Sequence, residues 1–498
     1  MSGGLALMQS PLNAEFPNNI ALVEAEASFT YAEVEQRTAE FASGLLDQSS
    51  DLAEARIAFL VPAGLDYVTV LHGIWRAGGI AIPLNVAATE SEWAHCLSST
   101  GVTRVVSVEP YRAKIQPLCD SLSIEVLGVS DYLTGLVSAL PELTPERKAM
   151  IIFTSGTTSK PKGVVTTHDN IAAQITALVE AWAWQENDVI PLFLPLHHVH
   201  GIIAVLSCAL WAGATVHVMP TLALDELCLQ VANDTYSLFM AVPTIYVKLI
   251  DHLEAMEASE SEAVLEGFAN MRLNVSGSAA CPVVVFDTWQ QLTGQALLER
   301  YGMTEIGMAL SNPYDGDRRA GYVGQPLPGI DVCLIDEGGS VVQEEGVSGE
   351  IRIQGETVFL EYWDNPEATA KSFVEGWFCT GDIGVLEAGY YRIMGRSSID
   401  IIKSGGYKLS ALEIENKLLD HPAIAEVAVL GIEDRTWGEA VAAVVVLRSG
   451  SELTLAALKD WCDGKLSAYK IPKKLLLQDA LPRNAMGKVT KPALKTLF

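Results

Sequence analysis

Residues 150–163 read MIIFTSGTTSKPKG: an apolar run from Met150 to Phe153 passes directly into a loop of hydroxyls, glycines and lysines. A short apolar run closed by turn residues reads as a buried strand. The loop that follows holds Thr154, Ser155, Gly156, Thr157, Thr158 and Lys162. It offers main-chain N–H donors, hydroxyl donors and positive charge, which together suit a polyphosphate. The spacing is not that of a Walker loop, because Gly163 lies seven residues after Gly156 and Val164 follows it.

Outward from this loop the pattern is α/β. Ile57–Val61 and Val105–Val108 read as buried strands, and Tyr31–Leu46 and Ser91–Leu97 have helical period. The segment from Arg56 to Pro83 reads strand, helix, strand, so parallel pairing is expected. Between Gly321 and Asp400 frequent glycines separate short runs such as Val332–Ile335 and Glu350–Ile353, a texture of antiparallel hairpins. Beyond Asp400 an α+β pattern follows: helix Ala411–Leu419, strands Val427–Ile432 and Ala440–Leu447, helix Leu455–Leu466 and strand Lys474–Leu477. The uncharged stretch Val189–Leu224 contains the 18-residue run Gly201–Val218. Its preceding prolines and its Ala212-Gly213-Ala214 break favour a buried helix, a turn and a strand at Thr215–Met219 over a membrane span.

The chain has 498 residues, a net charge of −28 and 49% hydrophobic residues. That apolar fraction excludes disorder, and the acidity argues against a nucleic-acid or anionic-membrane surface. The charge is uneven: residues 397–498 carry 14 basic and 12 acidic side chains, whereas the remainder carries 19 and 49. The shift suggests two units with a boundary near Arg396–Asp400. The eight cysteines form no CxxC pair and no Cys/His cluster of zinc spacing, which fits reduced thiols in the cytoplasm. The first 36 residues contain no Lys or Arg but several Glu, unlike a signal or transit peptide.

Further motifs follow the loop: LPLHHVHG at 194–201, YGMTE at 301–305, WFCTGD at 377–382, GRSSIDIIK at 395–403 and PRNAMGK at 482–488. With the 154–163 loop they resemble, in order, the signatures of the adenylate-forming superfamily of acyl-CoA synthetases, luciferases and adenylation domains. The resemblance implies an α/β fold with a large N-terminal domain, residues 1–396, of parallel and mixed sheets sandwiched by helices. It adds a distorted β-barrel at about 321–396 and a small mobile C-terminal α+β domain, residues 397–498, hinged at Asp400. It implies ATP, Mg²⁺ and coenzyme A as cosubstrates and cofactor, and no nucleic acid, membrane span or obligate protein partner.

The resemblance also implies roles for individual residues. Lys488, Thr304, Glu305 and His198 would act at the reacting centre, with Glu305 holding magnesium. The 154–162 loop, Ser278, Ala279, Ala280, Glu299, Arg300, Tyr301, Gly302, Met303, Asp382 and Arg396 would bind ATP. Gly405, Gly406 and Tyr407 would line the coenzyme A tunnel. Simple chemistry agrees: a carboxylate beside phosphates suits magnesium, Asp382 after Thr380-Gly381 can accept from a ribose, and Lys488 can neutralise an α-phosphate.

VPTIYVK at 242–248, RLNVSGSAA at 272–280 and YGMTEIGMALSNP at 301–313 resemble the corresponding segments of malonyl-CoA synthetases. This implies a substrate pocket of His200, Lys248, Arg272, Ser276, Gly277 and Met308, with Lys248, where those enzymes carry Arg, or Arg272 pairing a second carboxylate. A buried charge needs such a partner. The reaction implied is two-step: adenylation of malonate or methylmalonate, then thioester formation. A generic short-chain or aromatic carboxylate ligase is the alternative, and an amino-acid adenylation enzyme is opposed by the lack of Asp or Glu in 194–203.

Overall fold

The computed structural model describes residues 15–154, 161–405, 407–483 and 488–498. Two mainly parallel sheets carry the phosphate-loop strand and the presumptive pocket strands. In a seven-stranded sheet Glu361–Tyr362, Gly163–Thr167, Lys148–Phe153, Ile80–Pro83, Arg56–Leu60, Arg104–Ser107 and Glu125–Gly128 lie side by side. The last five pair in parallel, as the strand–helix–strand reading requires. Gly163–Thr167 turns back antiparallel on Lys148–Phe153, which sets Thr154 and Lys162 beside each other at one end of the sheet.

The helix Tyr31–Leu46 spans the expected residues. Thr30 caps it, accepting from the Glu33 backbone N–H while the Glu33 carboxylate accepts from Thr30 N, and such a cap contributes about 1 kcal/mol. Its buried stripe includes Tyr31, Val34, Phe41, Ala42, Leu45 and Leu46. The apolar run at 201–218 folds as a π-helix, His200–Ser207, then the helix Cys208–Ala212, a left-handed Gly213 and the strand Thr215–Val218. A Cβ at Gly201 would sit 2.6 Å from the Pro195 carbonyl oxygen, so only glycine lets this helix approach its own lead-in.

A second sheet orders Leu238–Ala241, Leu273–Ser276 and Leu298–Met303 in parallel, with Gly307–Ser311 and Gln325–Pro326 continuing antiparallel. The carboxyl ends of its parallel strands are where ligands bind in such sheets. The glycine-rich segment forms antiparallel strands Ile330–Ile335, Ser348–Gly355, Phe373–Val374, Trp377–Glu387 and Tyr390–Arg396. The pairings among the described residues do not close these strands into a barrel.

The C-terminal small domain is built on the long hairpin Ile424–Asp434 and Gly438–Leu447, flanked by Ile401–Ser404, Tyr407–Ser410 and Lys474–Leu477. The hairpin extends beyond the runs read from sequence because main-chain pairing continues past the apolar residues. The helix Leu455–Cys462 ends four residues short of Leu466, at Asp463 and the left-handed Gly464. The helix Ala411–Leu419 packs against Val283–Thr293 and Tyr390–Arg396, and Ser410 Oγ donates to the Met394 carbonyl at 2.5 Å. No helix among the described residues is long and apolar enough to cross a membrane.

Candidate active site

The hairpin Leu298–Met303 to Gly307–Ser311 sets Thr304 and Glu305 at its tip. A Cβ at Gly302 would meet the Gly307 carbonyl oxygen at 2.1 Å, so this position admits no side chain. Glu305 is buried, and its Oε1 accepts a 2.8 Å hydrogen bond from Tyr362 Oη. Burial raises its carboxyl above the usual range, against the Tyr362 hydrogen bond and the positive charges of Arg396 and Lys162. Lys162 Nζ lies 4.4 Å from the centre of the Tyr362 ring, so one tyrosine touches both the lysine and the carboxylate.

Asp382 sits opposite Arg396 in the pair Trp377–Glu387 and Tyr390–Arg396. Its Oδ2 accepts from Tyr301 Oη at 2.6 Å and its Oδ1 from Arg396 Nε at 3.2 Å. The Asp382 carboxylate is therefore fixed from two sides and keeps lone pairs for a ribose. Thr154 marks the mouth of the phosphate loop: its N–H donates to the Lys162 carbonyl at 2.9 Å, and Lys162 N–H donates to Thr154 Oγ1 at 3.2 Å. The expected ligands Ser155, Gly156, Thr157 and Thr158 lie outside the described residues, as does Gly406 of the expected tunnel.

Lys488 comes from the C-terminal small domain and is within electrostatic reach of His198, Arg300, Glu305, Asp382 and Arg396. Its side chain is solvent-accessible yet walled by protein mass, as in a cleft, and burial together with Arg396 and Arg300 lowers its pKa. Residues of the 301–305, 377–382 and 395–403 motifs and Lys488 thus meet in one place. His197 and His198 are in ring contact at 4.0 Å. Burial pushes His198 down to about 3 and His197 to about 4, so both are neutral imidazoles. The buried Nε2 of His198 has no partner among the described residues.

Arg300, Ser278 and His200 form a hydrogen-bonded polar cluster that the motifs did not reveal as a unit. Arg300, expected along the nucleotide, is buried on the strand Leu298–Met303. Its Nη2 donates to Ser278 Oγ at 3.3 Å, and Ser278 Oγ is 3.1 Å from Nδ1 of buried His200. Burial holds His200 well below the ordinary histidine range. Arginine only donates, so the Ser278 hydroxyl accepts from Arg300 and can give its own proton to neutral His200 Nδ1. The imidazole proton then resides on Nε2, which is buried and, like Arg300 Nε, has no partner among the described residues. Burial pushes the Arg300 guanidinium down to about 9. A Cβ at Gly277 would lie 2.4 Å from Arg300 Nε, and Ser278 takes a left-handed φ of +68° to turn its hydroxyl inward.

The neighbouring Glu299 alternates to the other face of the strand, accepts from Gly321 N at 2.8 Å and is pushed up by burial to about 8. It supports the strand and does not neutralise Arg300. Ser276 is buried at the strand end, whereas Ala279 and Ala280 are exposed. Met303 is partly buried against the main core.

Two further expected pocket residues have other partners in the structure. Arg272 stands at the opposite end of the strand Leu273–Ser276 from Gly277. Its guanidinium is occupied by buried Asp188, with Nε donating at 2.7 Å, and by the Trp182 carbonyl at 2.9 Å. A charge so engaged is structural. Met308, 1% exposed, belongs to the main hydrophobic core. Lys248 lies on the exposed face of the helix Pro243–Ala255, whose first turn follows the strand Leu238–Ala241 at the ligand end of the sheet. Of the expected tunnel residues, Gly405 adopts φ +59°, where a Cβ would meet the Trp437 ring at 2.9 Å, and Tyr407 is exposed and stacked on Tyr469 at 4.5 Å.

The family described as AMP-binding enzyme matches residues 12–363, and that described as AMP-binding enzyme C-terminal domain matches residues 413–488. The chain is 42% identical over 521 residues to the human malonate–CoA ligase ACSF3, mitochondrial, spanning 96% of this chain and 90% of the human protein. A malonate–CoA ligase of Arabidopsis thaliana is 40% identical over 480 residues, spanning 89% of this chain and 78% of the plant protein. The crystal structure of ATP-bound MatB from Rhodopseudomonas palustris superposes with a TM-score of 0.90 at 32% identity, covering 99% of this chain and 98% of the other. Together with the convergence of its motifs on one cleft, these matches make the chain a member of the AMP-binding enzyme family, the adenylate-forming acyl-CoA ligases.

Proposed function

We propose that this protein is a malonate–CoA ligase that joins malonate, ATP and coenzyme A into malonyl-CoA, AMP and pyrophosphate. One observation carries the substrate assignment: the buried guanidinium of Arg300 has no carboxylate partner among the described residues and is linked through Ser278 Oγ to buried His200, whose Nε2 has no partner there either. A second carboxylate would pair this cation; an acetate or benzoate would leave it buried and unpaired. The curated relatives named malonate–CoA ligases support the same reading.

The chemistry follows from the site. Asp382 and Arg396 hold the ribose side of ATP. Lys162, Thr154 and Thr304 face the phosphates. Glu305 offers the carboxylate for a magnesium ion, which would neutralise charge on the departing pyrophosphate. The reacting carboxylate attacks the α-phosphorus, the bond to pyrophosphate breaks, and an acyl-adenylate forms. Lys488 offsets the negative charge where nucleophile and α-phosphate meet. Neutral His198 adds a donor without adding charge. The small domain, residues 397–498, then turns about Asp400 and brings Gly405 and Tyr407 towards the coenzyme A path. The thiolate attacks the acyl carbonyl and AMP leaves. Positioning and electrostatics supply the acceleration, so no covalent side-chain nucleophile is required.

All eight cysteines are free thiols, consistent with a reducing compartment, and we place the enzyme in the cytoplasm. The mammalian relatives are named mitochondrial, so fractionation of the native cell decides this. The substrate assignment is tested by pyrophosphate release with malonate, methylmalonate, acetate, butyrate and benzoate in the presence of coenzyme A. Turnover with a diacid is expected. Good turnover with a monoacid and none with either diacid overturns it.

A further inference from the structure

Lys491 lies three residues beyond Lys488, at the start of the helix Lys491–Lys495, and is 9% exposed. Its ammonium is held between two carboxylates: Asp400 Oδ1 at 2.6 Å and Glu415 Oε1 at 2.7 Å. Asp400 is gripped from its other side as well, since its Oδ2 accepts from Arg396 N–H at 3.1 Å. Its backbone is equally engaged, donating from N to the Arg396 carbonyl at 2.8 Å and accepting at its own carbonyl from Ala411 N, also at 2.8 Å. The turn is tight enough that a Cβ at Gly395 would lie 2.4 Å from the Asp400 Cβ. Asp400 thus has one oxygen bound to the strand Tyr390–Arg396 of the large domain and the other to the tail of the small one.

Glu415 belongs wholly to the small domain. It sits on the helix Ala411–Leu419, and its Oε1 also accepts from Val429 N–H at 2.7 Å. When the small domain turns, Lys491 travels with Glu415 and keeps one partner. The contact that depends on orientation is the one through Asp400. A buried ammonium that would lose its only carboxylate would resist release strongly. The second carboxylate removes most of that resistance, so the contact can serve as a reversible latch instead of a permanent tie.

We propose that Lys491 is a positioning residue that latches Asp400 and thereby holds the small domain in the orientation that presents Lys488 to the α-phosphate. The inference rests on the two-orientation reading of this ligase and names the contact that separates its half-reactions. Lys491 touches no substrate. It acts on the first step because the same short tail carries Lys488, and misplacing a catalytic group by about 1 Å can cost as much as a hundredfold in rate.

The test compares two half-reactions in the full chain: ATP–pyrophosphate exchange driven by whichever acid the parent enzyme activates, and thioester formation from the corresponding preformed acyl-adenylate and coenzyme A. Because Lys491→Met leaves two buried carboxylates without a cation, it is paired with Lys491→Met/Glu415→Leu, which removes the second carboxylate, and with Asp400→Asn, which retains the Lys491–Glu415 pair. The expected result is a loss of roughly tenfold or more in exchange with less than about threefold change in thioester formation. Lys491→Arg should restore part of the exchange rate. Equal losses in both half-reactions for those variants whose melting transition matches the parent overturn the latch, and so does unchanged exchange. If Lys491→Met and the double variant fail to fold, Asp400→Asn decides by the same criterion. A parent that activates a monoacid and not malonate refutes the substrate assignment while leaving this test in force.

Discussion

Tyr362 Oη donates a 2.8 Å hydrogen bond to Glu305 Oε1, across a sequence separation of 57 residues, and the face of the same ring carries Lys162 Nζ at 4.4 Å. A single side chain thereby fixes the distance between the carboxylate proposed for magnesium and the cation proposed for the phosphates. A hydrogen bond to a charged group contributes about 1.5–3 kcal/mol. Tyr362→Phe, which keeps the ring under Lys162, should therefore slow pyrophosphate exchange by roughly tenfold and raise the magnesium concentration for half-maximal rate. Magnesium titration of the exchange reaction checks this, and an unaltered midpoint would refute the role.

Arg300→Met should lower kcat/KM for malonate by roughly a hundredfold, because it removes the cation proposed to pair the second carboxylate. Lys248→Ala, on the exposed face of its helix, should cost far less. Steady-state kinetics with malonate and butyrate on both variants separate the two candidates. A larger loss in Lys248→Ala than in Arg300→Met would return the assignment to Lys248.

Arg272→Met should destabilise the fold without reshaping the pocket. It strips Asp188, whose side chain is 2% exposed, of its guanidinium, and breaking such a pair costs about 3 kcal/mol or more. Denaturant unfolding should show this loss, while KM for malonate in the folded variant stays near that of the parent.

The pH dependence of adenylation should carry one lysine-type limb. Lys488 acts as a cation, so the rate it supports is present below its pKa and lost as pH rises through it. Burial, with Arg396 and Arg300 nearby, places that pKa below the ordinary lysine value. No histidine limb is expected between about pH 6 and 8, because His198 and His200 are already neutral there. Lys488→Ala should abolish pyrophosphate exchange and spare thioester formation from supplied malonyl-adenylate. Equal loss of both steps would remove Lys488 from its assigned role.

Gly277→Ala offers a steric check on the pocket. Its new Cβ would be driven into Arg300, at 2.4 Å from Nε, and should raise KM for malonate more than KM for ATP. Similar changes in both constants would mean that Arg300 does not serve the acid.

The amino-acid sequence by itself determined the fold class and, through its ordered motifs, the reaction type, and it proposed the residues nearest the phosphates. Those features are local: an apolar run ending in a hydroxyl-rich loop, a helical period at Tyr31–Leu46, a carboxylate in a Gly-preceded loop. Their residue types and short spacings carry the chemistry directly. The abrupt change of charge after Arg396 proposes the start of the C-terminal small domain, since each domain has its own surface. Tertiary structure alone decided which charges are spent and which remain available. Arg272 and Arg300 are equally basic in the sequence, yet Arg272 meets Asp188, 84 residues earlier, while Arg300 is buried beside Ser278 with no carboxylate among the described residues. Asp400, a hinge by resemblance, and Lys491 are 91 residues apart and unrelated in the sequence, and only the packing of the small domain puts them 2.6 Å apart. Whether a charged side chain binds a ligand or holds the fold depends on what strand register and domain packing bring within about 3 Å of it, and that information is not local in the chain.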